Sequence, residues 1–205
     1  DVLEKVVCKL NNISDDGASK AFQYYDHTKT LFKGTDGVVN GKFSFSFAVP
    51  KDISYSDGNG LMNVYAISDD KKMIAHGSDD SFMLNGSVAM NRDSIGPSLY
   101  CYLNSTAFSN GDAVNSTPYF VAEITDEDGI NSTGNGIGHD LTLIIDGDMA
   151  KTYVLNDCFS FNYGSYKSGT LGFSIPQLEP GEHKLLFRAW DVLNNSSVSE
   201  LTFKV

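Results

Sequence analysis

The residues of this chain best suited to chemistry are crowded into one stretch, Asp126–Asp140, reading DEDGINSTGNGIGHD. Asp126, Glu127, Asp128, Asn131, Asn135, His139 and Asp140 all fall inside it. Clustered carboxylates repel one another unless a cation or a set of hydrogen bonds compensates them. The stretch therefore reads in one of two ways: a loop that holds a cation, or a series of Asx-turns with solvated charge. An EF-hand is excluded, because counting from Asp126 the fifth and twelfth loop positions fall on Ile130 and Ile137. Gly134, Gly136 and Gly138 suggest a phosphate loop, but the spacing is GxGxG and the run that follows, Leu141–Ile145, has a strand period. Phosphate loops need a helix N-terminus at that point, whose dipole and free N–H groups hold the anion.

Nucleophilic or acid–base chemistry finds no clear constellation. Asp126, Asp128, Asp140, Asp146 and Asp191 supply carboxylates for a hydrolase, yet no spacing pairs any two of them. Cys8, Cys101 and Cys158 are odd in number and far apart, with no CxxC spacing. They suit small buried hydrophobes, with at most one internal bridge. His76-Gly77 matches the His-Gly of some cysteine peptidases, but it lies between short strand candidates and no Cys follows it at a strand end. No catalytic residue is assigned.

The elements that must position these groups are all strands. Residues 2–10 and 20–25 read as strands around a polar turn at 11–17, and Leu61–Ile67, Lys71–Ala75 and Ser81–Leu84 as three more. Lys42–Val49 alternates most cleanly, with Phe43, Phe45, Phe47 and Val49 on one face and Ser44, Ser46 and Ala48 on the other. That pattern predicts a half-buried antiparallel strand whose phenylalanines line the core of a first domain. No segment carries a capped 3.6-residue period, so no helix is expected. The pattern breaks at 86–97, and seven strands at sandwich spacing follow: 98–103, 118–125, 140–146, 151–155, 169–175, 182–190 and 198–205. The expected fold is all-β, two tandem β-sandwiches: a first domain over 1–90, a linker over 91–97, and an immunoglobulin-like domain over 98–205.

Composition narrows the partners. With 205 residues, 41% hydrophobic and 12% aromatic, the chain can build real cores. A net charge of −11 argues against nucleic acid and against anionic membrane surfaces, both of which call for Lys and Arg. No apolar run is long enough to span a bilayer, so direct membrane insertion is not expected. The opening DVLEKVV has neither an initiator Met nor a signal sequence, which suggests an excised piece of a longer protein. Sequons at Asn104, Asn115, Asn131 and Asn195 read as glycan sites on surface loops in a eukaryotic secreted protein, and only as polar loops in a bacterial one.

Five motifs in order, LFKG (31–34), GKFSFSFAVPKDISYSDGNG (41–60), DEDGINSTGNGIGHD (126–140), YVLND (153–157) and HKLLFRAWDVLNNSS (183–197), resemble the C-terminal region of PorU-type proteins. These are gingipain-like cysteine peptidases that act as the sortase of the type IX secretion system in Bacteroidetes. The resemblance implies an exported protein of the cell surface or outer membrane. Its implied partners are the upstream peptidase domain of the same protein and outer-membrane components of that secretion system. The Cys–His pair of such peptidases lies in an upstream domain, so the resemblance carries over no catalytic residue. A second reading is a freestanding immunoglobulin-like adhesin or glycan-binding module using Tyr24, Tyr25, Tyr163 and Tyr166.

Immunoglobulin strand order has one further consequence: it clusters the B–C loop (126–139) and the F–G loop (191–196) at one end of the sandwich, beside the start of strand A. Asp93, Asp126, Asp128, Asp191 and Asn194 then share a neighbourhood between the domains. Calcium is the one cofactor the sequence suggests, and these five residues are its candidate ligands, since it takes 6–8 oxygen ligands. A polar, metal-free contact is the alternative.

Overall fold

Period-two alternation of apolar and polar side chains dominates the chain, and antiparallel strands are its consequence. A computed structural model describes residues 2–8, 22–51, 53, 58–84, 93–134 and 137–205. The described residues contain twelve strands, two short 3₁₀ turns and no α-helix. The chain divides into two compact units, residues 1–31 with 54–89, and residues 32–53 with 90–205. The expected turn at 11–17 and the start of the pattern break, 86–92, lie outside the described residues.

The first unit contains two antiparallel ladders. Strand β1 (Val2–Cys8) pairs with β2 (Phe22–Lys29), and β3 (Met62–Ile67) with β4 (Ile74–Asp79). The β3–β4 turn is closed by Asp70, whose Oδ1 accepts from Ser68 Oγ at 2.7 Å and Lys72 N at 3.1 Å. The extended pieces expected at 71–75 and 81–84 are replaced by the single strand β4, and 81–84 forms no ladder.

In the second unit two four-stranded sheets face each other. One runs β5 (Ser98–Leu103), β6 (Tyr119–Thr125), β10 (Ser168–Ser174), β9 (Phe159–Phe161). The other runs β12 (Ser196–Lys204), β11 (Glu182–Trp190), β7 (Thr142–Ile145), β8 (Thr152–Val154). In immunoglobulin letters the first is A-B-E-D and the second G-F-C-C′. The short β9 is an eighth strand that the sequence pattern does not reveal, and it takes the D position.

The core follows from the alternation. Phe120, Ala122 and Ile124 of β6 and Leu171 of β10 face Leu143 and Ile145 of β7, Leu185, Phe187 and Ala189 of β11, and Leu201 and Phe203 of β12, all buried. Phe120 and Phe187 meet at 5.3 Å between ring centroids across the two sheets. The outward residues of β11 and β12 form cross-strand ion pairs instead, Lys184–Glu200 at 2.7 Å and Lys204–Glu182 at 3.1 Å.

Residues 32–53 depart from expectation. Lys42–Val49 forms no strand, and it groups with the second unit rather than lining a first-domain core. Phe43 and Phe45 are 49% and 39% exposed. Their rings instead continue a column that starts in the sandwich: Phe161 meets Phe32 at 5.1 Å, Phe32 meets Phe47 at 5.3 Å, and Phe47, Phe45 and Phe43 follow at 6.2 Å steps. The physical reason is that alternation specifies a two-faced extended chain without specifying its ladder partner. The segment is tied down at both ends, by Gly164 N donating to Thr35 O and by Lys51 N donating to Val192 O, 2.9 and 2.8 Å.

Phe187→Ala should cost the second unit about 3–5 kcal/mol, since it opens a cavity between the sheets. Val198→Ala, at a half-exposed outward position of β12, should stay within about 0.5 kcal/mol. Chemical denaturation followed by Trp190 fluorescence measures both, and equal effects would place Phe187 outside the core.

Candidate functional site

Strand β6 ends at Thr125 and strand β11 at Trp190. The chain that leaves each meets the other. Asn131 N donates to Trp190 O at 2.9 Å and Val192 N to Gly129 O at 3.0 Å, with an antiparallel bridge between Ile130 and Asp191. Gly129 takes a φ of 118°, and a Cβ there would press on Ala48 and Tyr166, so glycine is required where the loop passes the 47–53 segment.

Asp191 is fully buried. Its Oδ1 accepts from Leu193 N at 2.9 Å and Asn195 N at 2.7 Å, and its Oδ2 from Asn195 Nδ2 at 2.7 Å. Asn195 Nδ2 also reaches Asp93 O at 3.3 Å. Asp93 Oδ1 accepts from the N–H groups of Ser94 and Ile95, and Asp126 Oδ1 from those of Asp128 and Gly129, 2.8 and 3.0 Å. These are Asx-turns, in which a side chain satisfies the backbone that turns around it.

The five residues singled out for calcium all lie at this loop end. Burial pushes the Asp126 carboxyl above the ordinary carboxylate value, against the N–H groups of Asp128 and Gly129, and the charges of Asp191 and Asp128 add to the rise. Loss of water raises Asp128 as well, followed by the charge of Asp93, a hydrogen bond shared with it, and the charge of Asp191, with Lys167 opposing. Asn194 takes the left-handed conformation, φ 74°, in the same turn as Asp191, its N–H 3.4 Å from Asp191 O. Among the described residues no three His, Cys, Asp or Glu side chains gather in a way that could hold a metal ion. Gly96 lies against the backbone of Ser196, and Pro97 is buried. Residues 93–97, expected as linker, are thus part of the second unit's loop end.

The other carboxylates are occupied elsewhere. Asp140 Oδ1 accepts from Asn156 Nδ2 at 2.8 Å, and Asn156 Oδ1 from Leu141 N at 2.8 Å. Asp146 lies at the end of β7 away from the 126–131 loop, where its Oδ1 accepts from Lys184 N at 3.0 Å and its Oδ2 sits 2.9 Å from His183 Nδ1. The other ring nitrogen of His183 is 2.8 Å from Glu179 O. Sequence reasoning misses this pair, because its members are 37 positions apart and become neighbours only through the β7–β11 register. A hollow of about 810 Å³ beside it is lined by Ile144, Met149, Leu186 and Phe203 together with Asp146 and His183.

Groups that resemble catalytic ones have other roles. Cys101 is half-buried on β5, and burial pushes its thiol up to about 11 despite a hydrogen bond to Ser199, whereas nucleophilic cysteines have lowered values. His76 is exposed on β4 opposite Tyr65. His139 packs against Trp190 at 4.2 Å. Of the tyrosines considered for glycan binding, Tyr163 is 70% exposed and Tyr166 carries Lys167 Nζ 5.8 Å from its ring centre. The side chains of Tyr24 and Tyr25 lie outside the described part.

No protein-family model matches the chain, and no curated protein matches it. Among solved structures it is similar to the dimeric latent PorU of Porphyromonas gingivalis, with 34% sequence identity and a TM-score of 0.55. That match covers 100% of this chain and 19% of the PorU chain, so the chain spans about a fifth of its neighbour's length.

Two measurements probe the charges. Asp128→Asn should raise the melting temperature at pH 7, because it removes repulsion with Asp93 and Asp191, and millimolar Ca²⁺ should leave wild type unchanged. A melting temperature that climbs with Ca²⁺ in wild type and not in Asp128→Asn would establish the calcium site instead. At His183, burial alone would lower the pKa, but the Glu179 carbonyl and the Asp146 carboxylate hold it above the ordinary value. A raised folded-state pKa contributes stability that is complete below about 6.5 and is lost as pH rises through the folded value. Wild type should therefore lose about 0.2–1 kcal/mol relative to His183→Gln across that rise. Parallel pH profiles of the two proteins would exclude the pairing.

Proposed function

We propose that this chain is a noncatalytic β-sandwich region of a PorU-like protein, one that supports or docks a gingipain-like cysteine peptidase at the cell surface. The observation that carries this reading is the 34% identity to PorU over the whole chain. It is joined by the chemistry of the nearest catalytic look-alikes. The Cys101 thiol is held at about 11, and both ring nitrogens of His183 are engaged by Asp146 and the Glu179 carbonyl. A cysteine peptidase needs the opposite, a low-pKa thiol beside a histidine with one nitrogen free to take its proton. Export, and contact with outer-membrane components of the type IX secretion system, belong to the same proposal.

The 205-residue chain should leave peptides carrying a C-terminal sorting signal uncleaved, as read by mass spectrometry, and should bind the isolated PorU peptidase domain in calorimetric titration. Cleavage that is abolished by Cys8→Ser, Cys101→Ser or Cys158→Ser without unfolding would overturn the noncatalytic reading. Absence of heat would remove the docking role.

One observation favours the second reading, a glycan-binding module. Tyr100 and Tyr102 stand side by side on the outer face of β5 with ring centroids 5.4 Å apart, and Tyr100 is 51% exposed. Aromatic faces of this kind present an apolar body with a polar tip. Retention of the chain on a neutral polysaccharide matrix, lost in Tyr100→Ala, would support that role, and passage without delay would dismiss it.

A further inference from the structure

The outer faces of the two sheets in the second unit carry charge in different ways. On β11 and β12 four outward side chains close two ion pairs, Lys184–Glu200 and Lys204–Glu182. The outward positions of β5, β6, β9 and β10 hold one charged residue, Glu123. It is exposed, and among the described residues no Lys, Arg or His pairs with it. Lys167, at the approach to β10, is held by Glu127 at 3.3 Å. Opposite charges on neighbouring strands stabilise a sheet surface, yet Glu123 faces Tyr100 on one side and Thr170 on the other.

Tyrosine rings flank this carboxylate. Tyr100 and Tyr102, successive outward residues of β5, have ring centroids 5.4 Å apart and planes inclined at 50°, so the pair forms an open angle and not a flat stack. Loss of water raises the Tyr102 phenol above its ordinary value, and the charge of Glu123, the charge of Tyr100 and a hydrogen bond with Glu123 raise it further. That hydrogen bond keeps the carboxylate beside the two rings. On the other side of β6, Tyr119 lays the tip of its ring over Gly172, where a Cβ would collide with it. Tyr100 and Tyr119 are 51% and 46% exposed, so their rings are open to a partner.

The face of an aromatic ring is negative and attracts cations, as a carboxylate does. A guanidinium answers both at once, because its plane stacks on a ring while its N–H fork bonds the carboxylate. An ammonium is a compact, strongly hydrated charge that cannot stack. We propose that the outer face of β5 and β6 docks an arginine side chain of a partner protein, its guanidinium against Tyr100 and Tyr102 and paired with Glu123. The Tyr102 hydroxyl takes one of the carboxylate's roughly four acceptor sites and leaves the others for the arginine. The net charge of −11 favours this occupant, since it draws cationic segments and repels acidic ones. Sugar hydroxyls also bond carboxylates, but a neutral glycan leaves the charge of Glu123 uncompensated. A single exposed pair of this kind is weak by itself and is weakened further by salt. The surface is independent of whether the partner is a peptidase.

The probe is the blocked peptide acetyl-Gly-Gly-Arg-Gly-Gly-amide, titrated into the 205-residue chain carrying isotope-labelled tyrosine. The ring signals of Tyr100 and Tyr102, assigned through Tyr100→Phe and Tyr102→Phe, should shift and saturate in the millimolar range, and added salt should reverse the shift. Glu123→Gln keeps the shape of an exposed side chain, so its circular dichroism spectrum should match wild type while its affinity for the peptide falls about fivefold. The same peptide with citrulline in place of arginine, which keeps the shape and loses the charge, should shift neither signal. Absence of any shift with the arginine peptide overturns the proposal. So do equal shifts from the citrulline peptide, or an affinity that Glu123→Gln leaves unchanged. Shifts of these signals by maltohexaose and not by the arginine peptide would assign the face to a glycan instead. The calorimetric titration with the peptidase domain tests the docking reading separately, so either reading fails without the other.

Discussion

The loop-bearing end of the second unit depends on one fully buried carboxylate, that of Asp191. A carboxylate without water needs its lone pairs filled, and a single turn of the chain supplies Leu193 N, Asn195 N and Asn195 Nδ2. The turn so fixed is the one whose backbone holds everything else at that end. Val192 reaches Gly129 on one side and accepts from Lys51 on the other, while Trp190 O accepts from Asn131. Through Asn195 Nδ2 it also holds the carbonyl of Asp93 at the approach to β5. Three stretches far apart in sequence are thus registered by one side chain. Losing it would take the partner from the Leu193 and Asn195 N–H groups together, a larger effect than losing any one bond.

The carboxylates around it solve their repulsion differently. Asp93 and Asp126 each close a turn on backbone N–H groups, which suits an ionised group. Asp128 is left facing Asp93 and Asp191, with Lys167 to offset them. The opposite end of the sandwich uses paired charge instead. There Asp146 sits between the Lys184 N–H and His183, and although burial alone would raise it, those partners hold it below the ordinary carboxylate value. One end is therefore held by dipoles and the other by an ion pair.

Aromatic stacking links the sandwich to the strap at 32–53. Phe161 is at the edge of the core, and each ring outward from it, Phe32, Phe47, Phe45, Phe43, rests on the one before. The inner members are packed by the sandwich, whereas Phe43 has only Phe45 as a ring neighbour within the described residues. The column is packed at its root and exposed at its tip. It sets 32–53 apart from the outward face of β11 and β12, where ion-paired lysines and glutamates keep the sheet wet.

How much of this was legible in the sequence differs by feature. Alternation alone determined that the chain is all-β, and of the seven strands spaced after residue 97, taken as A to G in chain order, six hold those places, whereas the one at 151–155, fourth and so expected as D, pairs with β7 as C′. That order, in turn, brought Asp93, Asp126, Asp128, Asp191 and Asn194 to one end, because loops B–C and F–G must share it. Periodicity is a local property, so it survives any tertiary context. Three features were decided only by the tertiary structure. β9 is too short for a pattern to register. The Asp146–His183 pair exists only because β7 and β11 align Ile145 with Leu185. The segment 42–49 carries the clearest strand pattern in the chain and makes no ladder, because alternation says which side chains share a face and nothing about which backbone lies alongside. Pairing is settled by the fold as a whole.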